Sequence, residues 1–144
     1  MFWKKKKKSP ESKHVALIDT HLSGGMPMIQ DELASPATRV AVQIFILGMA
    51  DMVRETESLL WDEYVLMCEN IFENHDIAPS EGAKKFIEKV ARAVGEKEEV
   101  AKLLRFGTQS IEMYVSEGDA NAPTDLLSIP IFAQNNASKL SGII

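Results

Sequence analysis

The fold of this protein is decided by one apolar stretch with a clear beginning, SPATRVAVQIFILGMADMVRETE, residues 35–57. Ser35 suits the N-cap of a helix, and Pro36 suits the first helical turn, where a missing N–H breaks no helical hydrogen bond. Apolar residues then cover most of the helical circumference, which is typical of the central helix of a bundle. The most apolar part, residues 40–53, is shorter than the roughly 20 residues of a membrane span. A buried helix is therefore predicted.

Three further segments downstream have helical periodicity. We expect helices over about residues 58–74, 79–94 and 97–116, each with apolar side chains three and four positions apart. The joints between these segments are short, so consecutive helices are expected to pack antiparallel. No segment combines strand alternation with hairpin turns. The predicted fold class is all-α, an up-down bundle of about four main helices with extended N- and C-terminal segments.

The 144 residues fit a single domain with two extensions. Residues 1–30 are expected to form a polybasic, largely flexible tail, residues 31–118 the helical bundle domain, and residues 119–144 a C-terminal extension with an apolar docking segment. Within the tail, residues 14–22 are left open, either as part of it or as a short element packed on the body.

Charge is distributed unevenly between the tail and the body. In residues 1–13, six lysines against Glu11 give +5, so the chain total of −5 leaves −10 for the remainder. An acidic body repels the phosphate backbone, so nucleic acid is not expected as a partner.

The N-terminus has the composition of a weak membrane anchor. Two aromatic residues precede five lysines: Phe2, Trp3, Lys4, Lys5, Lys6, Lys7 and Lys8. Aromatic rings favour the membrane interface, and each lysine gains about 1 kcal/mol near anionic lipid. The segment therefore predicts weak contact with an anionic membrane surface. The alternative is a tail that only keeps the protein in solution.

The expected location is cytoplasmic, peripheral to a membrane. No apolar run of a secretory signal follows the lysines. The single cysteine, Cys68, fits a reducing compartment.

Residue types that carry catalysis or bind metals are scattered along the chain. His14, His21 and His75 match no metal motif. Cys68 lies on an apolar helical stripe, a setting that raises the pKa of a thiol and makes it a poor nucleophile. The sequence therefore predicts no catalytic residue, no metal site and no cofactor, and an enzyme is the least favoured function.

Gly48 and Gly107 lie inside predicted helices, where each costs about 1 kcal/mol relative to alanine. Two interpretations are open. Either the glycines allow close approach of two helices, or they border a small apolar cavity.

The C-terminal extension contains five large apolar residues within seven positions: Leu126, Leu127, Ile129, Ile131 and Phe132. Such a cluster rarely stays in water, so it either folds back on the bundle or docks on a partner or a second copy. Because Pro130 interrupts a helix, we expect a short turn at about residues 124–128 and then an extended run over residues 129–132.

The predicted function is a non-catalytic helical interaction or regulatory module, tethered weakly to a membrane surface by its tail. A protein partner or self-association is expected. The alternative is a small-ligand-binding helical protein with an apolar cavity between helices, near Gly48 and Gly107.

Overall fold

The computed structural model describes residues 13–117 and 122–143, and every regular element within those residues is helical. This confirms the predicted all-α class. The α-helices are α1 Lys13–Gly25, α2 Pro36–Glu57, α3 Trp61–Asn74, α4 Ala83–Val94, α5 Glu98–Glu117, α6 Ile129–Asn135 and α7 Ala137–Leu140. Three 3-10 helices lie in the connections: Met26–Ile29, Asp31–Ala34 and Ala122–Ser128.

Local chemistry sets both ends of α2. Ser35 is extended, and its side-chain oxygen accepts a hydrogen bond from the Thr38 N–H at 3.4 Å. Pro36 is the first helical residue, as predicted. The helix ends because Ser58 adopts a left-handed backbone conformation with φ 53°. The capping and proline signals in the sequence are therefore the ones that the structure uses.

Helix α2 forms the centre of the core. Every residue from Val40 to Ala50 is buried, and α5 is its most extensive partner. With 22 residues, α2 is the one described helix long and apolar enough to cross a membrane. Of its most apolar 18-residue window, 83% is buried inside the fold. Apolar composition of this kind is also what a helix surrounded by protein requires.

The structure corrects the predicted division of the chain at residue 30. Residues 13–25 form α1, which packs on α2, on α5 and on the 3-10 helix Ala122–Ser128. The physical reason is burial of an apolar series that continues beyond the helix: Ile18, Leu22, Met26 and Ile29. Residues 13–30 thus belong to the folded body, and residues 1–12 lie outside the described residues.

The structure also corrects the extended run expected over residues 129–132. Pro130 lies in the first turn of α6, where proline breaks no helical hydrogen bond. The segment folds back on the bundle and packs against α1, α2 and α5. Its inward-facing side chains are buried: Leu126, Ile129, Ala133, Leu140 and Ile143.

Candidate functional site

Helices α2 and α5 cross with their backbones in contact. An ideal Cβ atom on Gly48 would lie 2.1 Å from the Leu104 carbonyl oxygen, and one on Gly107 would lie 2.1 Å from the Phe45 carbonyl oxygen. The Thr108 hydroxyl donates a hydrogen bond to the Gly48 carbonyl oxygen at 2.7 Å. The two glycines therefore serve close packing, and they leave no room between them for the alternative apolar cavity.

An apolar groove runs between α5 and the start of α6, with an open volume of about 400 Å³. We call it the α5–α6 groove. Its lining residues are Lys102, Leu103, Phe106, Ser128, Ile129, Ile131, Phe132 and Asn135. Three of the five predicted docking residues line it. Lys102 is the one charged residue of the lining within the described part of the chain, so the groove can hold an apolar group and places a cation beside it.

The predicted docking segment is divided between the core and the surface. Leu126 and Ile129 are buried, and Phe132 is half-buried. Leu127 and Ile131, by contrast, leave 47% and 65% of their surface exposed. These two side chains project from the segment, whereas Ile129 and Phe132 reach the surface as part of the groove lining.

A polar cluster joins α2 to α3. The Tyr64 hydroxyl donates a hydrogen bond to the Asp51 carboxylate at 2.6 Å. The Arg54 guanidinium lies over the Tyr64 and Trp61 rings, at 4.9 Å and 5.5 Å from their centroids. Burial raises the pKa of the Asp51 carboxyl, although the Tyr64 hydrogen bond and the Arg54 charge act in the opposite direction.

Cys68 lies buried beside this cluster. Its burial raises the pKa of the thiol to about 12. A thiol with such a pKa is almost entirely protonated at neutral pH and is a poor nucleophile. The cluster therefore holds two helices together and does not supply an activated cysteine.

All three histidines make contacts between α1 and the rest of the fold. His14 Nδ1 lies 2.6 Å from Glu57 Oε2, and Asp19 Oδ1 on α1 lies 2.8 Å from His75 Nε2. His21 Nε2 lies 2.8 Å from the Ser110 hydroxyl. His21 is buried, and desolvation lowers the pKa of its imidazole although Asp125 partly opposes the shift.

Sequence reasoning missed these contacts. A carboxylate at position 51 of an apolar helix is a visible signal in the sequence, but its position alone does not identify the partner. The actual donor, Tyr64, comes from α3, and no local pattern connects the two positions. The histidine contacts likewise join residues 43 to 89 positions apart in sequence.

The predicted membrane-surface residues, Phe2, Trp3 and Lys4 to Lys8, lie outside the described residues. Among residues 13–117 and 122–143, no three side chains of His, Cys, Asp or Glu are grouped to hold a metal ion. Comparisons with protein-family models, curated proteins and solved structures found no match to this chain. The function is therefore argued from the geometry of the groove and its surroundings.

Proposed function

We propose that the protein is a non-catalytic helical interaction module that associates through the α5–α6 groove. One observation supports the proposal above the others. Ile131, 65% exposed, stands on the rim of an apolar groove of about 400 Å³. Full burial of an aliphatic side chain of this size contributes about 1.5–3 kcal/mol. The exposed Ile131 side chain and the open groove therefore both favour contact with another macromolecule.

The occupant that we propose is a second copy of this chain. A projecting apolar side chain and an apolar groove lie on the same face, so a two-fold axis through that face would place each Ile131 in the groove of the other copy. Such an isologous contact is the commonest form of homodimer. Leu127, also exposed, would lie at the margin of the same contact.

Self-association can be tested with one substitution. Ile131→Glu places a charge in the proposed interface but disturbs the monomer little, because the side chain is mostly exposed. Sedimentation equilibrium over a wide concentration range should give a dimer for the wild type and a monomer for Ile131→Glu. Val94→Glu, at an exposed position on α4, is the matched control and should remain dimeric.

A wild type that stays monomeric at the highest concentration would contradict self-association through the groove. The same holds if both variants dissociate equally. In that case a second chain would not be the occupant of the α5–α6 groove.

We also propose that α2, α3, α4 and α5 run alternately up and down. Contacts of α2 with α3 and of α2 with α5 support this arrangement. Between α2 and α3, Asp51 contacts Tyr64, and Gln43 contacts Ile77 just after α3. Between α2 and α5, Phe45 contacts Gly107 and Gly48 contacts Leu104. In both pairs the residue number rises on one side as it falls on the other, which is the pattern of antiparallel neighbours.

Ligand binding is the second candidate function, with its site in the α5–α6 groove instead of beside the glycines. The volume falls within the range of small-molecule pockets, about 300–1,000 Å³. Lys102 at the rim favours an anion with an apolar chain. Decanoate should raise the melting temperature of the wild type and leave that of Lys102→Met unchanged, and an equal shift in both proteins would contradict the assignment.

The remaining parts of the proposal concern location. We propose that the protein is cytoplasmic and that residues 2–8 tether it weakly to an anionic membrane. The charge of −10 on residues 14–144 supports a protein partner in preference to nucleic acid.

A further inference from the structure

The described part of the chain begins at a defined place on the fold. Helix α1 begins at Lys13, and His14 Nδ1 lies 2.6 Å from the carboxylate of Glu57, the last residue of α2. The segment of residues 1–12 is therefore joined to the folded body beside the connection between α2 and α3. At up to ~3.3 Å per residue, twelve residues reach at most ~40 Å, so the surface around that connection is well within their range.

That surface exposes two adjacent apolar side chains. Leu60 and Trp61, adjacent in sequence, leave 72% and 38% of their surface exposed. They follow Glu57 by three and four residues, so they lie within ~14 Å of it along the chain. A shallow cavity of about 460 Å³ lies at the same connection and is lined by Asp51, Arg54, Glu55, Ser58 and Leu59. We call this region, residues 51–63 excluding its buried side chains, the junction surface.

The charge of the junction surface is opposite to that of the N-terminal segment. Between residues 51 and 63 five carboxylates, on Asp51, Glu55, Glu57, Asp62 and Glu63, face one cation, Arg54, which gives −4. Residues 1–12 carry five lysines against Glu11, which gives +4. Arg54 is engaged with the Trp61 and Tyr64 rings. Asp51 and Glu57 are engaged with Tyr64 and His14, so the exposed carboxylates of this surface are those of Glu55, Asp62 and Glu63.

We propose that residues 1–12 of this chain dock on the junction surface, with the Phe2 and Trp3 rings against Leu60 and Trp61 and the lysines beside the carboxylates. The segment and the surface match in apolar content, in charge and in distance along the chain. Because the segment is tethered, its effective concentration at the surface is in the millimolar range. A weak contact is therefore enough to keep it docked.

Docking restrains the membrane tether, because the same rings and lysines cannot meet lipid and the junction surface at once. The apparent affinity for a membrane is then reduced by the fraction of molecules whose tail is free. This inference does not depend on self-association through the α5–α6 groove, which is a separate surface on α5 and α6.

Nuclear magnetic resonance of the full chain tests the contact directly. Replacing Lys4 to Lys8 with glutamine should shift the amide signals of Leu59, Leu60 and Trp61. Conversely, the double variant Glu55→Gln, Asp62→Asn should shift the indole N–H signal of Trp3. Both positions are exposed, so the variant is expected to fold.

The matched control is Glu69→Gln, Glu73→Gln, which removes the same charge from exposed positions farther along α3. It should leave the Trp3 indole signal in place. Docking is contradicted if the Trp3 signal is identical in all three proteins. It is also contradicted if the shifts depend on protein concentration, because the occupant would then be the tail of a second copy.

Vesicles of anionic lipid give a second readout. If about four fifths of the tails are docked, Glu55→Gln, Asp62→Asn should bind vesicles about fivefold more tightly than the wild type. The control variant has the same net charge, so it should bind like the wild type if release of the tail is the cause. Equal gains in the two variants would overturn the proposal and attribute the effect to net charge.

Discussion

At Gly107, the Phe45 carbonyl oxygen occupies the space in which the Cβ atom of any other residue would lie. We expect Gly107→Ala to lower the free energy of unfolding by about 3 kcal/mol, the upper part of the usual range for overpacked sites. The obstructing atom is backbone on α2, so no side chain can turn away to relieve the clash. Urea denaturation of the variant and the wild type measures the loss.

Gly95→Ala is the control for this prediction. A Cβ atom there meets nothing within 4 Å, and the φ of −75° suits alanine. Its free energy of unfolding should stay within about 0.5 kcal/mol of the wild type, as for other unremarkable surface changes. Similar losses at the two positions would mean that the α2–α5 crossing is looser than its geometry indicates.

Asp51 makes stability depend on pH in a defined direction. Burial raises the pKa of this carboxyl in the folded protein above its unfolded value of 3.8. The folded state therefore holds the proton more strongly, and its stability falls as pH rises from about 4 through the folded pKa. Asp51→Asn keeps an acceptor for Tyr64 but cannot ionise.

The stability of Asp51→Asn relative to the wild type should consequently increase between pH 4 and pH 7. Chemical denaturation at the two pH values measures this difference. If the stability of the variant relative to the wild type instead decreased between pH 4 and pH 7, the attraction of Arg54 and the Tyr64 hydrogen bond would outweigh the cost of burying the carboxylate.

At the scale of elements, the helices with local signals were predictable from the sequence. Ser35 and Pro36 mark the start of α2, and the structure begins it there because a cap and a first-turn proline act within one turn. The start of α3 was expected near residue 58 and lies at Trp61. The left-handed backbone of Ser58 separates the two helices, and nothing in the sequence demands that conformation of a serine.

Elements that depend on tertiary contacts were not predictable in the same way. The place of helix α1 in the fold depends on partners such as Ser110 that are distant in sequence. Pro130 was read as a helix breaker, whereas in α6 it starts the helix. Proline is disfavoured in the middle of a helix, so a helix either ends before it or begins at it. Only the surrounding packing decides which of the two occurs.

The C-terminal elements should be required for folding. Leu126, Ile129 and Leu140 are buried and would each contribute about 1.5–3 kcal/mol. Truncation after Gly118 should therefore lower the free energy of unfolding by about 5 kcal/mol or more, enough to unfold or aggregate a domain of ordinary stability. Thermal denaturation followed by circular dichroism measures the loss.

Leu127→Ser provides the comparison, since this side chain belongs to the same segment but is half exposed. It should shift the melting temperature only slightly. A truncated chain that melts at the wild-type temperature would mean that the buried residues of the segment add nothing to the core.

At the scale of the whole molecule, the candidate site was predicted only in part. The apolar content of residues 126–132 indicated a docking segment, but which members face outward depends on how α6 packs on α2. Spacing also could not separate close packing from a cavity at Gly48 and Gly107, because both arrangements require small residues. The backbone contact between Gly107 and Phe45 distinguishes them.

The membrane tether gives the prediction that concerns the entire chain. Five lysines at about 1 kcal/mol each give at most ~5 kcal/mol, corresponding to a Kd near the millimolar range. Sedimentation with anionic vesicles should show weak binding at low salt that disappears when Lys4 to Lys8 are replaced with glutamine. Binding that persists in high salt would mean that the lysines are not the anchor.

The contacts of the three histidines converge on one helix. Each of them bears on α1: His14 and His21 from within it, and His75 through Asp19. A proton gained by His21 lies in an apolar setting against Phe45 and Tyr114. Acidification would therefore weaken the contact of α1 with α5, where His21 meets the Ser110 hydroxyl. Acid thus acts on the first helix in the opposite direction to its action on Asp51, whose protonated form the folded state favours.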